Sequence, residues 1–387
     1  MREQRSIPPE HAKPARNKAE YSSALNGYRG LCALLVFLFH TGSAGVIDTA
    51  QLGANAEFLW RSLSLGVEMF FMISGYVILG SLLRHETVAG FLRDRFVRIY
   101  SAWAPALVAV ALVCVVFKLK TFAGLSAAQS FGVIVANFCL LPPLAPVPLV
   151  HWGSWSLTFE WVFYLSASLA ALLLRAHAPR WTLWLWALLV AAFVVRYPRA
   201  VFFGTGVVVF ARRAWFEQRR TWLRAPWLSF CVFLLSWHAL HLEAFDSTET
   251  LFSLLRGDRW LLALVAVLAS VHMFASIVLC ASREVALLQN ATFQFLGKIS
   301  YSFYLWHALV MALVKRPIIA HVLPRAGEAW SFLLFVVLSS SLSIVIAWLS
   351  WSVFEVRVAG LMQRSLPHKP VRTRDEDEAM HAAASPT

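Results

Sequence analysis

The side chains best suited to chemistry lie along apolar stretches. The first stretch, Tyr28–His40, carries Arg29 near one end and His40 at the other. Their eleven-residue separation is close to three helical turns, so both point to one face, roughly 16 Å apart. Glu68 lies in a second apolar run, Gly66–Tyr76. Arg95 and Arg98 open a third, three residues apart and on one face. In Trp155–Tyr164 the polar residues Ser156, Glu160 and Tyr164 step by four. In Leu296–His307 the ring of Lys298, Ser300, Tyr301, Tyr304 and His307 breaks the pattern, with Ser300, Tyr304 and His307 on one face. Histidine titrates near neutrality, and a neighbouring carboxylate can fix its tautomer, which is the equipment of a general base. Arginine forks match phosphate oxygens. Each group also has a plainer reading. Arg29 can snorkel at a helix end, buried carboxyls can tie helices together, loop arginines can signal topology, and Ser, Thr and Tyr can be interhelical glue.

The elements that carry these residues are membrane helices. The chain has 387 residues, 59% hydrophobic and only 14% charged, with mean hydropathy +0.64. That excludes an ordinary soluble domain. The expected fold is all-α: a polytopic transmembrane bundle of about ten full spans plus one short re-entrant segment, with both termini cytoplasmic. Expected spans cover residues 28–47, 58–83, 98–117, 152–174, 181–196, 199–215, 225–241, 259–280, 296–315 and 330–354. Residues 1–24 and 357–387 read as polar cytoplasmic tails flanking a membrane domain at 25–356. The segment 127–141 is short and ends in Pro142-Pro143. If it dips in and returns, the basic clusters at 2–18, Arg84–Arg98, Arg175–Arg180, Arg212–Arg224, Arg283–Lys298 and Arg357–Arg374 all face one side. The positive-inside rule favours that arrangement. The acidic Asp48, Glu57, Glu243, Asp246 and Glu249 then fall outside.

The net charge of +13 is accounted for by cytoplasmic loops and calls for no nucleic acid. None of the five cysteines makes a CxxC, so neither a disulfide framework nor a metal site is expected. The basic N-terminal stretch before an apolar core resembles a secretory signal, but the leading segment is long and His40 is an odd member of a discarded core, so no cleavage is expected. No internal repeat and no stretch long enough for an appended soluble domain stand out.

With that topology, His40, Glu68, Glu160 and His307 fall in the outer half, about 10–15 Å below the outer helix ends. Arg29, Arg95, Arg98 and Lys298 fall at the inner rim. Ionisable groups inside a membrane turn inward and mark function. Two histidines and two carboxylates at one depth favour a site over packing.

The same residues resemble the acyltransferase-3 family of integral membrane acyltransferases, across about residues 25–356. Arg29/His40 resembles the family's Arg-x10-His, Gly66–Tyr76 its GVxxFFxISGF, Arg95/Arg98 its RxxR, Trp155–Tyr164 its WSLxxExxFY, and Gly297–His307 its LGxxSYSxYLxH. Glu355 resembles its closing Glu, although Val356 and Arg357 stand where Arg-Pro is usual. The resemblance implies acyl transfer, usually acetyl, from cytosolic acyl-CoA to a hydroxyl of a glycan, lipid-linked saccharide or other acceptor. It implies a bacterial inner-membrane, multi-pass protein in contact with membrane lipid. His40 is then the catalytic histidine, with Glu68, Glu160 and His307 in the same layer, and Arg29, Arg95, Arg98, Lys298 and Tyr301 near the donor. No metal is implied. The rival from another class is a secondary transporter of a small anionic solute, but transporters are often built from inverted repeats with broken helices. A scaffold without chemistry leaves the shared depth unexplained.

Overall fold

A computed structural model describes residues 18–49, 53–117, 120–240, 250–254, 259–279 and 283–365. Among these the chain is all-helical, with no strand. The longer helices are α1 (Lys18–Ser43), α2 (Ala54–Ser62), α3 (Gly66–Arg84), α4 (Val88–Val116), α5 (Ala127–Phe138), α6 (Ser154–Arg175), α7 (Arg180–Arg196) and α8 (Val201–Ala211). Short α9 (Arg213–Gln218) leads to α10 (Pro226–His238), α11 (Leu251–Leu254), α12 (Arg259–Leu279), α13 (Ala291–Pro317), α14 (Leu323–Ser350) and α15 (Ala359–Ser365). Among the described residues five helical stretches are long and apolar enough to cross a membrane: Ala54–Arg84, Val88–Val116, Ser154–Arg175, Arg259–Leu279 and the composite Ala291–Ser365.

Several boundaries differ from expectation. Helix α1 begins at Lys18, inside the stretch expected as a tail. Polar Asn26, Gln294 and Ser23 explain why: they hydrogen-bond across to one another and order the first turns of α1 against α13. The expected spans 181–196, 199–215 and 225–241 appear as helices of 17, 11 and 13 residues. A bilayer crossing takes about 20. Pro198, which cannot continue a ladder, and the break at Arg212 cut the middle one short. The tails 1–17 and 366–387, and the acidic loop residues Glu243, Asp246 and Glu249, lie outside the described residues.

Helices α1 and α13 run side by side and parallel. Asn26 Nδ2 donates to the Gln294 carbonyl at 2.9 Å near both N-termini. Lys315 Nζ donates to the Ala44 carbonyl at 3.0 Å near both C-termini. The backbones touch near that first end, because a Cβ on Gly297 would lie 1.9 Å from the Asn26 carbonyl oxygen. Small residues permit such close crossings between membrane helices. Asn290 starts α13 by capping the Phe293 amide at 2.9 Å. Helix α14 folds back antiparallel on α13, and Ser350 near its end meets Ser302 at 2.9 Å.

Helices α4 and α6 run in opposite senses. Arg175 at the end of α6 donates to the Glu86 and His85 carbonyls, beside the start of α4. The connection 117–153 therefore leaves and returns at the same end. Within it, the Phe138 carbonyl accepts from Tyr100 and Trp103, about halfway along α4. So α5 dips into the bundle and the chain comes back, pinned by buried Asn137. Its amide donates to the Val133 and Pro148 carbonyls and its oxygen accepts from Val150 N.

Candidate active site

His40 is fixed by the helix that carries it. Its Nδ1 lies 2.8 Å from the Val36 carbonyl oxygen. A carbonyl only accepts, so Nδ1 carries the proton. His307 repeats the arrangement on α13, its Nδ1 3.1 Å from the Phe303 carbonyl. His307 Nε2 is therefore a lone pair, and it faces His40 Nδ1 at 3.4 Å. The longer contact is a second branch of the same His40 N–H. The rings meet edge to face with centroids 5.0 Å apart, and Phe37 and Phe303 pack against His307. Three of the four ring nitrogens are thus assigned. No described residue bonds the fourth, His40 Nε2, which is left as a basic lone pair.

One turn back along α13 lies a cavity of about 80 Å³. It gathers residues from four of the polar stretches besides α1: Arg29, Ser74, Arg98, Glu160, Tyr301 and Tyr304 all line it. Tyr301 donates to the Ile99 carbonyl at 2.9 Å, joining α13 to α4. Glu160 Oε1 accepts from Ser74 at 2.9 Å and from Tyr164. Arg29 and Arg98 interact electrostatically across the cavity, with Glu160 and Glu355 within reach of Arg29. Neither guanidinium donates a hydrogen bond to a described residue. Glu355 comes from a π-helical stretch, Trp351–Val358, and its Oε1 accepts from Ser302 N at 3.1 Å and Ser302 Oγ at 2.6 Å. Two cationic forks that give no hydrogen bond to a described residue suit an anion with several oxygens.

The two-layer scheme needs correction. Glu68 does not hold the imidazole. It is fully buried, with Oε1 2.6 Å from Arg199 Nε and 3.2 Å from Trp237 Nε1, and the Arg199 guanidinium lies over the Trp155 ring. The tautomer is set instead by a backbone carbonyl and a second histidine. Glu160 belongs with the arginines, not with the histidines. Arg95 and Arg98 part company: Arg95 donates to Ser81 Oγ at 3.1 Å and lies over Phe91, off the cavity wall. Lys298 points away, its ammonium 4.1 Å from the Trp351 ring centroid. Sequence reasoning passed over Arg199, whose signal was a charge inside the apolar run Val194–Val209. It also passed over His151, which carried no periodic signal. Buried His151 ties the loop before α6 to α13, with Nε2 donating to the Leu305 carbonyl at 2.7 Å and Nδ1 accepting from Gly153 N.

The described residues thus form an all-helical membrane-type bundle in which a histidine pair lies one turn from a cavity lined by two arginines. The chain belongs to the acyltransferase-3 family: the family's acyltransferase domain matches residues 22–352. It is similar to acyltransferase MdmB of Streptomyces mycarofaciens, at 29% identity over 179 residues. That match covers 45% of this chain and 45% of that relative, so the chain spans about half the length of the curated relative it matches. No solved structure matches at a significant level.

Proposed function

We propose that the protein transfers an acyl group, acetyl in the simplest case, from cytosolic acyl-CoA to a hydroxyl of a glycan, lipid-linked saccharide or other acceptor, with His40 as general base. One observation carries the reading. His40 Nε2 is an oriented nitrogen with no described partner, one helical turn from a cavity lined by two guanidiniums whose N–H groups no described residue accepts. The phosphates of the donor are held by Arg29 and Arg98, and its thioester extends along α1 toward His40. The acceptor O–H gives its proton to His40 Nε2 as its oxygen bonds the thioester carbon. The C–S bond then breaks, and the imidazolium returns the proton to the CoA thiolate. The cation formed at His40 keeps Nδ1–H on the Val36 carbonyl and the neutral His307 Nε2, and both contacts strengthen when the ring is charged. His307 thus takes the supporting part that a neighbouring carboxylate was expected to play. Residues of this chain complete the cycle without a covalent enzyme intermediate.

The reading extends to placement. We infer a bacterial inner-membrane protein with about ten crossings, 127–141 re-entrant, and both termini cytoplasmic. The return of α5 and the seat of Arg175 beside His85 and Glu86 support it, since they put the basic ends of α3, α4 and α6 together. The deciding experiment incubates purified protein with radiolabelled acetyl-CoA and a panel of saccharide and lipid-linked acceptors. Label should move to an acceptor in wild type and stay on CoA in His40→Ala, with CoA binding equal in both. Label that never leaves CoA with any acceptor, or equal transfer by His40→Ala, overturns the assignment.

A further inference from the structure

The cavity stops short of the base. His40 and His307 are absent from its lining, whose last residues toward them are Val67, Phe70, Ser156 and Tyr304. Tyr304 precedes His307 by one turn of α13 and stands between the two compartments. Its ring centroid lies 6.2 Å from Phe70 and 5.9 Å from His307. Its hydroxyl is tied to α6, 2.8 Å from Ser156 Oγ and donating to the Gly153 carbonyl at 3.1 Å. The ring sits so close to the chain that a Cβ on Gly153 would fall 3.0 Å from it. Phe70 meets Tyr304 edge to face from α3 and also packs against the cluster containing Phe37 and Phe303, the rings beside His307. Two aromatic side chains from different helices, one of them tethered at its far end, therefore form the wall between the arginine cavity and the histidine pair.

Resting on the acyl-CoA reading above, we propose that Phe70 and Tyr304 determine which acyl chains are transferred. The thioester carbon has to reach His40 past this wall, so the tail of the acyl group lodges against the two rings. A tethered aromatic wall at this point leaves little room for an acyl tail, so short chains pass and longer ones are rejected. Phe70 is the tunable half, because it makes ring contacts only, whereas Tyr304 is bound at both ends. A methylene added to or removed from such an apolar pocket is worth about 10–200-fold in discrimination.

The test measures kcat/KM for acetyl-, propionyl-, butyryl- and hexanoyl-CoA with one acceptor. Phe70→Ala should raise the butyryl-to-acetyl ratio by at least about tenfold, with Phe70→Leu intermediate. Phe70→Trp should lower the propionyl-to-acetyl ratio. Equilibrium binding of butyryl-CoA gives a second readout that needs no turnover. Ratios unchanged in all three variants, each still binding CoA, overturn the chain-length proposal while leaving the enzyme reading intact. A wild-type protein that moves no acyl group from any CoA donor sinks the enzyme reading instead. If Phe70→Ala does not fold, the opposite shifts expected of Phe70→Leu and Phe70→Trp still decide the matter.

Discussion

Two groups of ionisable residues sit inside this bundle, and they are built oppositely. Around Glu68, charge is matched and sealed: carboxylate, guanidinium and indole meet on residues that are at most 6% exposed. Around Arg29 and Arg98, charge is left open toward a cavity, and the nearby His40 keeps one nitrogen unused. A buried ion pair recovers the cost of desolvation only when its partners satisfy each other. Arg29 and exposed Arg98 instead give none of their N–H groups to a described residue, and the carboxylates of Glu160 and Glu355 act on Arg29 only through space. The closed pair fastens α3 to the Pro198–Ala200 turn and α10, and the open group keeps its donors for the ligand proposed above. The same residue types in the same apolar context thus do two jobs, separated by which way each helix is turned.

The largest effect that distinguishes the groups is catalytic. His40→Ala should lower turnover by roughly 10²–10⁴-fold, the usual worth of a positioned base, with an unchanged detergent melting curve and unchanged CoA affinity. A lower melting temperature with full residual activity would place His40 among the structural charges instead.

The opposite group should break the opposite way. Arg199→Ala leaves the Glu68 carboxylate buried without its cation, a loss of about 3–5 kcal/mol. It should show as a lowered melting temperature and reduced yield, not as a selective loss of kcat. The paired replacement Glu68→Leu with Arg199→Met should recover most of the stability, because both charges leave together. An Arg199→Ala protein that melts normally but has lost donor affinity would merge the two groups.

Helix direction was legible in the sequence, depth only in part, and rotation was not. The spacing of Arg29 and His40 gave one shared face, and His307 sat at the same depth on a later stretch. Both follow from the period of a helix. Glu68 and Glu160 were expected at one depth, yet Glu68 meets Arg199 while Glu160 bonds Ser74, further along α3 and beside the arginines. A span that is apolar all round carries little periodic signal for its azimuth, and α3 is buried on nearly every side. Arg95 and Arg98 share a face in sequence, but Ser81 claims the first and the cavity the second. The family resemblance supplied the class where the residues alone left a transporter open. The half-length helix α8 was hidden because its apolar run does not show that the ladder breaks at Pro198 and Arg212.

Within the reactive group, His307 is the next step down. His307→Phe keeps a ring but removes the lone pair that faces His40 Nδ1. A hydrogen bond to a charged group is worth about 1.5–3 kcal/mol, so kcat should fall roughly 10–150-fold while KM for the donor holds. His307→Asn, whose amide oxygen can accept from Nδ1–H, should recover part of the loss. A packing residue would not be rescued that way.

Arg98 and Arg95 sharpen the contrast at the cavity mouth. Arg98→Ala removes an unpartnered fork from the lining and should weaken CoA binding by about 1.5–3 kcal/mol, the worth of a charge-assisted contact. Arg95→Ala removes a guanidinium already engaged with Ser81 and Phe91, and its effect on CoA affinity should be several-fold smaller. Calorimetry with CoA on the two variants, in one buffer and detergent, ranks them directly. Equal losses would put Arg95 on the donor as well.

Lys298 gives the smallest effect and the cleanest limit on the site. It lies one residue from Gly297, where α13 meets α1, and three from Tyr301, so sequence position alone sets it at the inner rim beside the donor. The structure turns it outward, exposed, with its ammonium over the ring of Trp351. An exposed cation–π contact is worth about 0.5–1 kcal/mol, and that is the whole loss expected of Lys298→Ala, read as a slight drop in melting temperature. Donor affinity should not move, because a charge held on the far side of α13 cannot donate into the cavity. Raising salt separates the possibilities further. Long-range attraction of CoA to the basic rim is screened beyond about 10 Å at 0.1 M salt, so a Lys298→Ala effect that vanishes with salt marks general steering. One that persists at high salt means the donor reaches around α13, and the binding site then extends beyond Arg29 and Arg98.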